Sequence, residues 1–171
     1  MNPTFRHPLR TLLAAALFGV MPTSQADTAT LTISGRVNPG TCTLVASAVL
    51  LDPIRADQLR QGDNGLKAST LQLTNCLGVT TATLSFDGTA ADGDAQRWKN
   101  TAGQGPASGL SVSLLSGTAG TTYLKKGDRI PLAVTGTSAT LDIRSGYHLA
   151  ALAGVSAGAV STEIVITAAY K

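Results

Sequence analysis

The chain has 171 residues, of which 43% are hydrophobic, 13% charged and 4% aromatic, and its formal net charge is +3. That length fits one compact domain rather than two, and a charged fraction about half the usual ~25% excludes a long coiled coil and a charge-rich disordered tail. Setting aside Arg6 and Arg10, which lie in a leader described next, takes the 13 Lys/Arg to 11 against 10 Asp/Glu, so the charge makes no case for nucleic-acid binding.

Residues 1–26 have the layout of a secretory signal peptide. Arg6, His7 and Arg10 give a basic start, Leu12 to Val20 an apolar stretch, and Ser24 and Ala26 the small residues before a cut ahead of Asp27. The apolar stretch is far short of the roughly 20 residues that span a bilayer, and no later segment is long and apolar enough to do so. The expectation is an exported chain without a membrane span. Its two cysteines, Cys42 and Cys76, meet an oxidising compartment and are expected to form one disulfide. Closing a loop of this length is worth about 3.5–4 kcal/mol in the chain-entropy picture. With no CxxC spacing and His148 as the single histidine after the leader, no metal centre is expected, and no cofactor.

The period along the exported part is two. Ala29, Leu31, Ile33, Gly35 and Val37 alternate with polar residues, as do Leu71 and Leu73, then Ala82, Leu84 and Phe86, then Leu110, Val112 and Leu114. Residues 130–134 and 139–143 are shorter candidates, and the last strand carries Ile164, Ile166, Ala168 and Tyr170 on one face. Polar or glycine-rich stretches at 61–65, 88–105, 117–121 and 153–159 read as breaks. A single helical turn is expected within 53–59, and Gly154 and Gly158 weigh against a helix over 149–160. Short strands so punctuated predict an all-β antiparallel sandwich or barrel, with the sandwich the stronger reading.

Signals of catalysis are weak. Gly154-Val155-Ser156-Ala157-Gly158 matches the G-x-S-x-G string, which acts only where a strand turns into a helix on an α/β sheet; here it sits in a loop rich in small residues. Asp92-Gly93-Asp94 lacks the further oxygen ligands of a calcium loop. Trp98, between Arg97 and Lys99, has the form of a side chain that stacks a sugar or a base, but a single aromatic in a loop more often caps a core edge. No acid–base pair or triad is evident, and an enzyme is not expected.

Three segments carry a family resemblance: the start DTATLTISGRVNPGTC, the LQLTNC segment, and the ending STEIVITAAYK. An alternating arm with an internal glycine leads to the first cysteine, the second closes a strand after Leu-x-Leu-Thr-Asn, and Tyr is the penultimate residue. In this the chain resembles the fimbrial (pilus) subunits of the chaperone–usher pathway of Gram-negative bacteria. The 15 residues from Asp27 to the one before Cys42 are nearer the layout of minor or adaptor subunits than of rod subunits with longer arms.

The resemblance implies an incomplete immunoglobulin-like sandwich lacking its last strand (39–171), preceded by a donor-strand arm (27–38). It implies a structural role in an adhesive pilus at the cell surface, reached through the periplasm. The implied partners are a periplasmic pilus chaperone, an outer-membrane usher and neighbouring subunits, joined by donor-strand exchange, a known form of strand addition. Ala29, Leu31, Ile33, Gly35 and Val37 would form the donor face, whose burial is worth on the order of 5–10 kcal/mol. Ile164, Ile166, Ala168 and Tyr170 would line the recipient groove. Read from the residues alone, 28–37 is an ordinary strand of its own domain with Gly35 a bulge; the resemblance reverses that preference. The alternative at the level of function is a self-contained secreted sandwich that binds a carbohydrate.

Overall fold

A computed structural model of the chain describes residues 32–171. The expected signal peptide, and Ala29 and Leu31 of the expected arm, lie outside the described residues. Residues 32–36 of that arm take no regular structure, and Ile33 is exposed. The body that follows, from Val37 onward, contains nine strands: β1 (Thr43–Val45), β2 (Gly62–Thr74), β3 (Thr81–Gly88), β4 (Ala90–Ala91), β5 (Asp94–Lys99), β6 (Leu110–Ser116), β7 (Arg129–Ala133), β8 (Ala139–Leu149) and β9 (Ile164–Tyr170). One 3-10 turn, Ala56–Gln58, falls within the expected helical turn.

The strands form two sheets, one of order β1-β2-β8-β6-β5-β4 and the other β7-β3-β9, and every strand pairing is antiparallel. Alternation places the core between them. Ala82, Leu84 and Phe86 of β3 face Leu71 and Leu73 of β2, Val112 and Leu114 of β6, and Leu141 and Ile143 of β8 as one buried cluster. The alternate residues point to the opposite faces, as the period of two requires, and of these Ser113 is itself fully buried.

Asn75, with φ 54°, turns the chain at the end of β2, a conformation asparagine tolerates better than most residues. The turn directs Cys76 back to Cys42, with which it forms the disulfide across a separation of 34 residues. The expected pairing is present.

Two readings of the sequence are corrected. The stretch 88–105 is not a simple break: it holds the β4–β5 hairpin, and Trp98 lies in β5 rather than in a loop. Trp98 is fully buried, and its indole N–H donates to the Leu124 carbonyl at 2.9 Å, so it has no face to offer a sugar. Likewise 61–65 is not a break but mostly the start of the long strand β2, which pairs along β8 with a register shift between Asn64 and Lys67.

Candidate functional site

Among the described residues, β9 pairs only with β3, from Gly88↔Ile164 to Ala82↔Tyr170. Beside it the sandwich is open. A cavity of about 400 Å³ lies between segment 46–51 on one side and segment 160–166 on the other. Its floor is the core itself, with Leu71, Val112, Leu114 and Ile143 reached from the cavity. A second cavity of about 300 Å³ continues beyond it, reaching Pro53, Ile54, Leu59 and Leu110, and the two share Tyr147 and Val160. Together they form one long apolar groove. Leu50, on its rim, is 83% exposed, and an unpaired strand edge beside apolar surface is a ready place for another strand to add.

The expected groove residues divide along this feature. Ile164 and Ile166 line the first cavity. Ala168 and Tyr170 lie further along β9, packed against the core cluster, and the Tyr170 hydroxyl donates to the Cys42 carbonyl at 3.1 Å. The groove is thus shut at the disulfide end and open toward the start of β9.

The wall that leads into β9, residues 153–162, is held by a loop rather than by a sheet. Asn100 is the hub. Its amide group donates to the carbonyls of Ala107 (3.1 Å) and Ala159 (3.0 Å), and its side-chain oxygen accepts from the N–H of Ala102 (3.2 Å) and Ser161 (3.0 Å). Close backbone contact reinforces this. A Cβ on Gly158 would lie 2.5 Å from both the Ala107 nitrogen and the Gly105 oxygen, so only glycine fits there. Ser156, of the G-x-S-x-G string, belongs to the same clasp: its hydroxyl meets that of Ser108 at 2.8 Å and accepts from the Ser108 N–H. Its neighbours make it a loop fastener and provide no base.

On the opposite face of the larger sheet is a polar cluster that the sequence reading missed. The Asp63 carboxylate accepts from the hydroxyls of Ser113 and Tyr123 and from Nδ1 of His148, the last two at 2.7 and 2.8 Å. Arg97 Nε lies 3.8 Å away, with its guanidinium stacked 3.4 Å over the Tyr123 ring. Burial alone raises the Asp63 pKa, but the bonds from Ser113, Tyr123 and His148 and the Arg97 charge outweigh it, and the group is held below its ordinary value. The bond to Asp63 in turn raises the Tyr123 pKa. Ser113 donates to the carboxylate rather than to the imidazole, so the three side chains are not ordered as a nucleophile, base and orienting acid. The cluster braces β2, β5, β6 and β8 and the crossing segment that carries Tyr123.

Asp92 of the Asp92-Gly93-Asp94 string forms an ordinary surface pair with Lys99 at 2.9 Å, as Lys126 does with Asp87 at 3.3 Å. Among the described residues no helix is long and apolar enough to cross a membrane.

No protein-family model and no curated protein sequence matches the chain. Solved structures do. The CupB6 tip adhesin of Pseudomonas aeruginosa superposes with a TM-score of 0.63 at 18% identity, covering 76% of this chain. This chain spans only 38% of that adhesin. The P pilus rod subunit PapA gives a TM-score of 0.61 at 15% identity, over 77% of this chain and 100% of PapA. An antigen and type I fimbria protein of Burkholderia pseudomallei gives 0.56 at 26% identity, over 78% and 91% of the two chains. The all-β immunoglobulin-like fold of these pilus and fimbrial proteins is the fold of this chain, and it agrees with the resemblance read from the three segments above.

Proposed function

We propose that this chain of pilus-subunit fold is a structural component of an adhesive pilus, built by exchange of β-strands between subunits. The observation that carries the reading is the long apolar groove beside the unpaired edge of β9. A strand laid there gains main-chain hydrogen bonds from β9 and buries its alternate side chains against Val112, Leu114 and Ile143. In the periplasm a pilus chaperone lends that strand first. At the outer-membrane usher the arm of a neighbouring subunit replaces it. The chain's own arm, residues 27–38 with Ala29, Leu31, Ile33, Gly35 and Val37 as its apolar face, is passed on to a further subunit. The role is structural and not catalytic, and it places the mature protein in the fimbria at the cell surface.

The carbohydrate-binding alternative loses its best candidate, because Trp98, the chain's one tryptophan, is fully buried. The test is the behaviour of the purified chain. Alone it aggregates or unfolds readily, and a pilus chaperone or a peptide copying a compatible donor arm converts it to a stable, soluble complex. A stable monomer that needs neither would refute the proposal.

A further inference from the structure

Four buried side-chain polar atoms lack a hydrogen-bond partner among the described residues: Ser69 Oγ, Arg97 Nε, Ser145 Oγ and Thr162 Oγ1. Arg97 is accounted for by its charge contact with Asp63. Two of the other three, Ser145 and Thr162, line the first cavity of the groove. Ser145 is the more telling. Only 8% exposed, it follows Leu141 and Ile143 on the inward face of β8, between Ile143 and the Tyr147 shared by both cavities. An aliphatic residue there would continue the floor without cost, whereas a buried hydroxyl without a partner is destabilising. It belongs to the groove and not to the Asp63 cluster, because His148 of that cluster lies on the other face of β8.

From this we infer that the groove is built for a β-strand carrying one serine or threonine among its inward-facing apolar residues, with that hydroxyl bonded to Ser145. The inference rests on the strand-exchange reading and adds the chemistry of the partner to it. It also identifies the partner as a different chain. The arm of this protein turns Ala29, Leu31, Ile33, Gly35 and Val37 inward and places its Thr and Ser residues on the opposite face, so a second copy brings no hydroxyl to Ser145. The groove accordingly receives its strand from another kind of subunit, and this chain occupies a junction instead of a homopolymer.

The test uses peptides copying residues 27–38, unmodified or carrying Ala29→Thr, Leu31→Thr, Ile33→Thr, Gly35→Ser or Val37→Thr. Each is bound to the exported chain, wild type and Ser145→Ala, with Ser145→Gly as a second variant should the alanine form fail to fold. Dissociation constants are compared as a double-mutant cycle, which cancels the apolar surface lost from the peptide. At one position, and no other, the hydroxyl peptide gains about five-fold or more over the unmodified one on wild type relative to the Ser145 variant. The unmodified peptide binds the variant at least as tightly as it binds wild type. Equal ratios on both proteins at every position overturn the inference while leaving strand exchange standing. Failure of every hydroxyl-bearing peptide to bind wild type also overturns the inference, whereas strand exchange itself stands or falls on whether a pilus chaperone or a compatible donor-arm peptide converts the chain to a stable, soluble complex.

Discussion

Tyr170 and Cys42 are tied across the closed end of the groove: the phenol hydroxyl donates to the cysteine carbonyl at 3.1 Å, linking the last strand to the segment that enters β1. The same residue Cys42 carries the disulfide to Cys76, so one end of the groove is fastened twice. The other end is fastened only through loops.

Removing the tie tests its weight. Tyr170→Phe keeps the ring and deletes the bond, and leaves a half-buried carbonyl to water. The expected loss is about 1 kcal/mol, measured by urea unfolding of the peptide-complemented chain. A loss below the error of that measurement would show that the disulfide alone holds this end.

Asn100 governs the opposite end. Asn100→Ala removes four hydrogen bonds at once and is expected to cost about 2–3 kcal/mol. Amide exchange should quicken along 157–162 while the β2–β8 ladder keeps its protection. Asn100→Asp retains the acceptor for Ser161 and Ala102 but sets an anion against the carbonyls of Ala107 and Ala159. It should therefore rescue little. Uniform loss of protection across both sheets would identify Asn100 with the core rather than the wall.

The Asp63 brace makes stability depend on acid. Its pKa is lowered in the folded chain relative to the ordinary value near ~3.9. The carboxylate therefore contributes fully above about pH 4, and that contribution is lost as pH falls through the depressed folded value. Asp63→Asn keeps the shape, loses the charge, and should cost about 2 kcal/mol at pH 7. The gap between wild type and variant should narrow as pH falls below about 4, as read from unfolding free energies at each pH. A gap that stays constant across the whole acid range would mean that packing, and not charge, sets the cost.

The arm is tested by charge and by bulk. Ile33→Asp should abolish incorporation of this chain into a neighbour's groove while leaving its own capture by the chaperone intact, because the two events use different surfaces. Burying a carboxylate in an apolar groove is prohibitive. Gly35→Leu should slow insertion at least ten-fold if Gly35 passes over a shallow point of the recipient groove. Polymer assays that show normal incorporation of Ile33→Asp would remove the donor role from residues 27–38.

Much of the sandwich is legible in the sequence where one face of a strand meets the core and the other meets water. In β3 hydrophobic and polar residues alternate for this reason, whereas in β6 the outward Ser113 is itself buried in the Asp63 cluster and in β9 the outward face carries the exposed Val165 beside Thr167. The β4–β5 hairpin is hidden because its residues are small or polar and it lies at the sheet's end, leaving Trp98 as the one large apolar signal. The first half of β2 is hidden differently. The Asn64 side chain is spent on the backbone of Arg60 and Gly62, and Gly146 opposite is required because a Cβ there would lie 2.6 Å from the Asn64 backbone oxygen. The Asp63 cluster draws its members from five places along the chain, and no spacing announces it. The groove is the same kind of case: its rim at 46–51 has no periodicity, and Ser145 is conspicuous only once its neighbours are known to be Leu141, Ile143 and Tyr147.

The double fastening at Cys42 also sets how the subunit bears tension. In a filament held together by inserted arms, a pull on one subunit reaches the next through the residues just ahead of Cys42. At that residue the load would divide, passing covalently through the sulfur to Cys76 at the base of the β2–β8 ladder and, through the Cys42 carbonyl and the Tyr170 hydroxyl, to the end of β9. In a fibre of the proposed kind, the three-residue strand β1, which would peel first, would be bypassed, and force would pass through the more extensively paired β2 and β8.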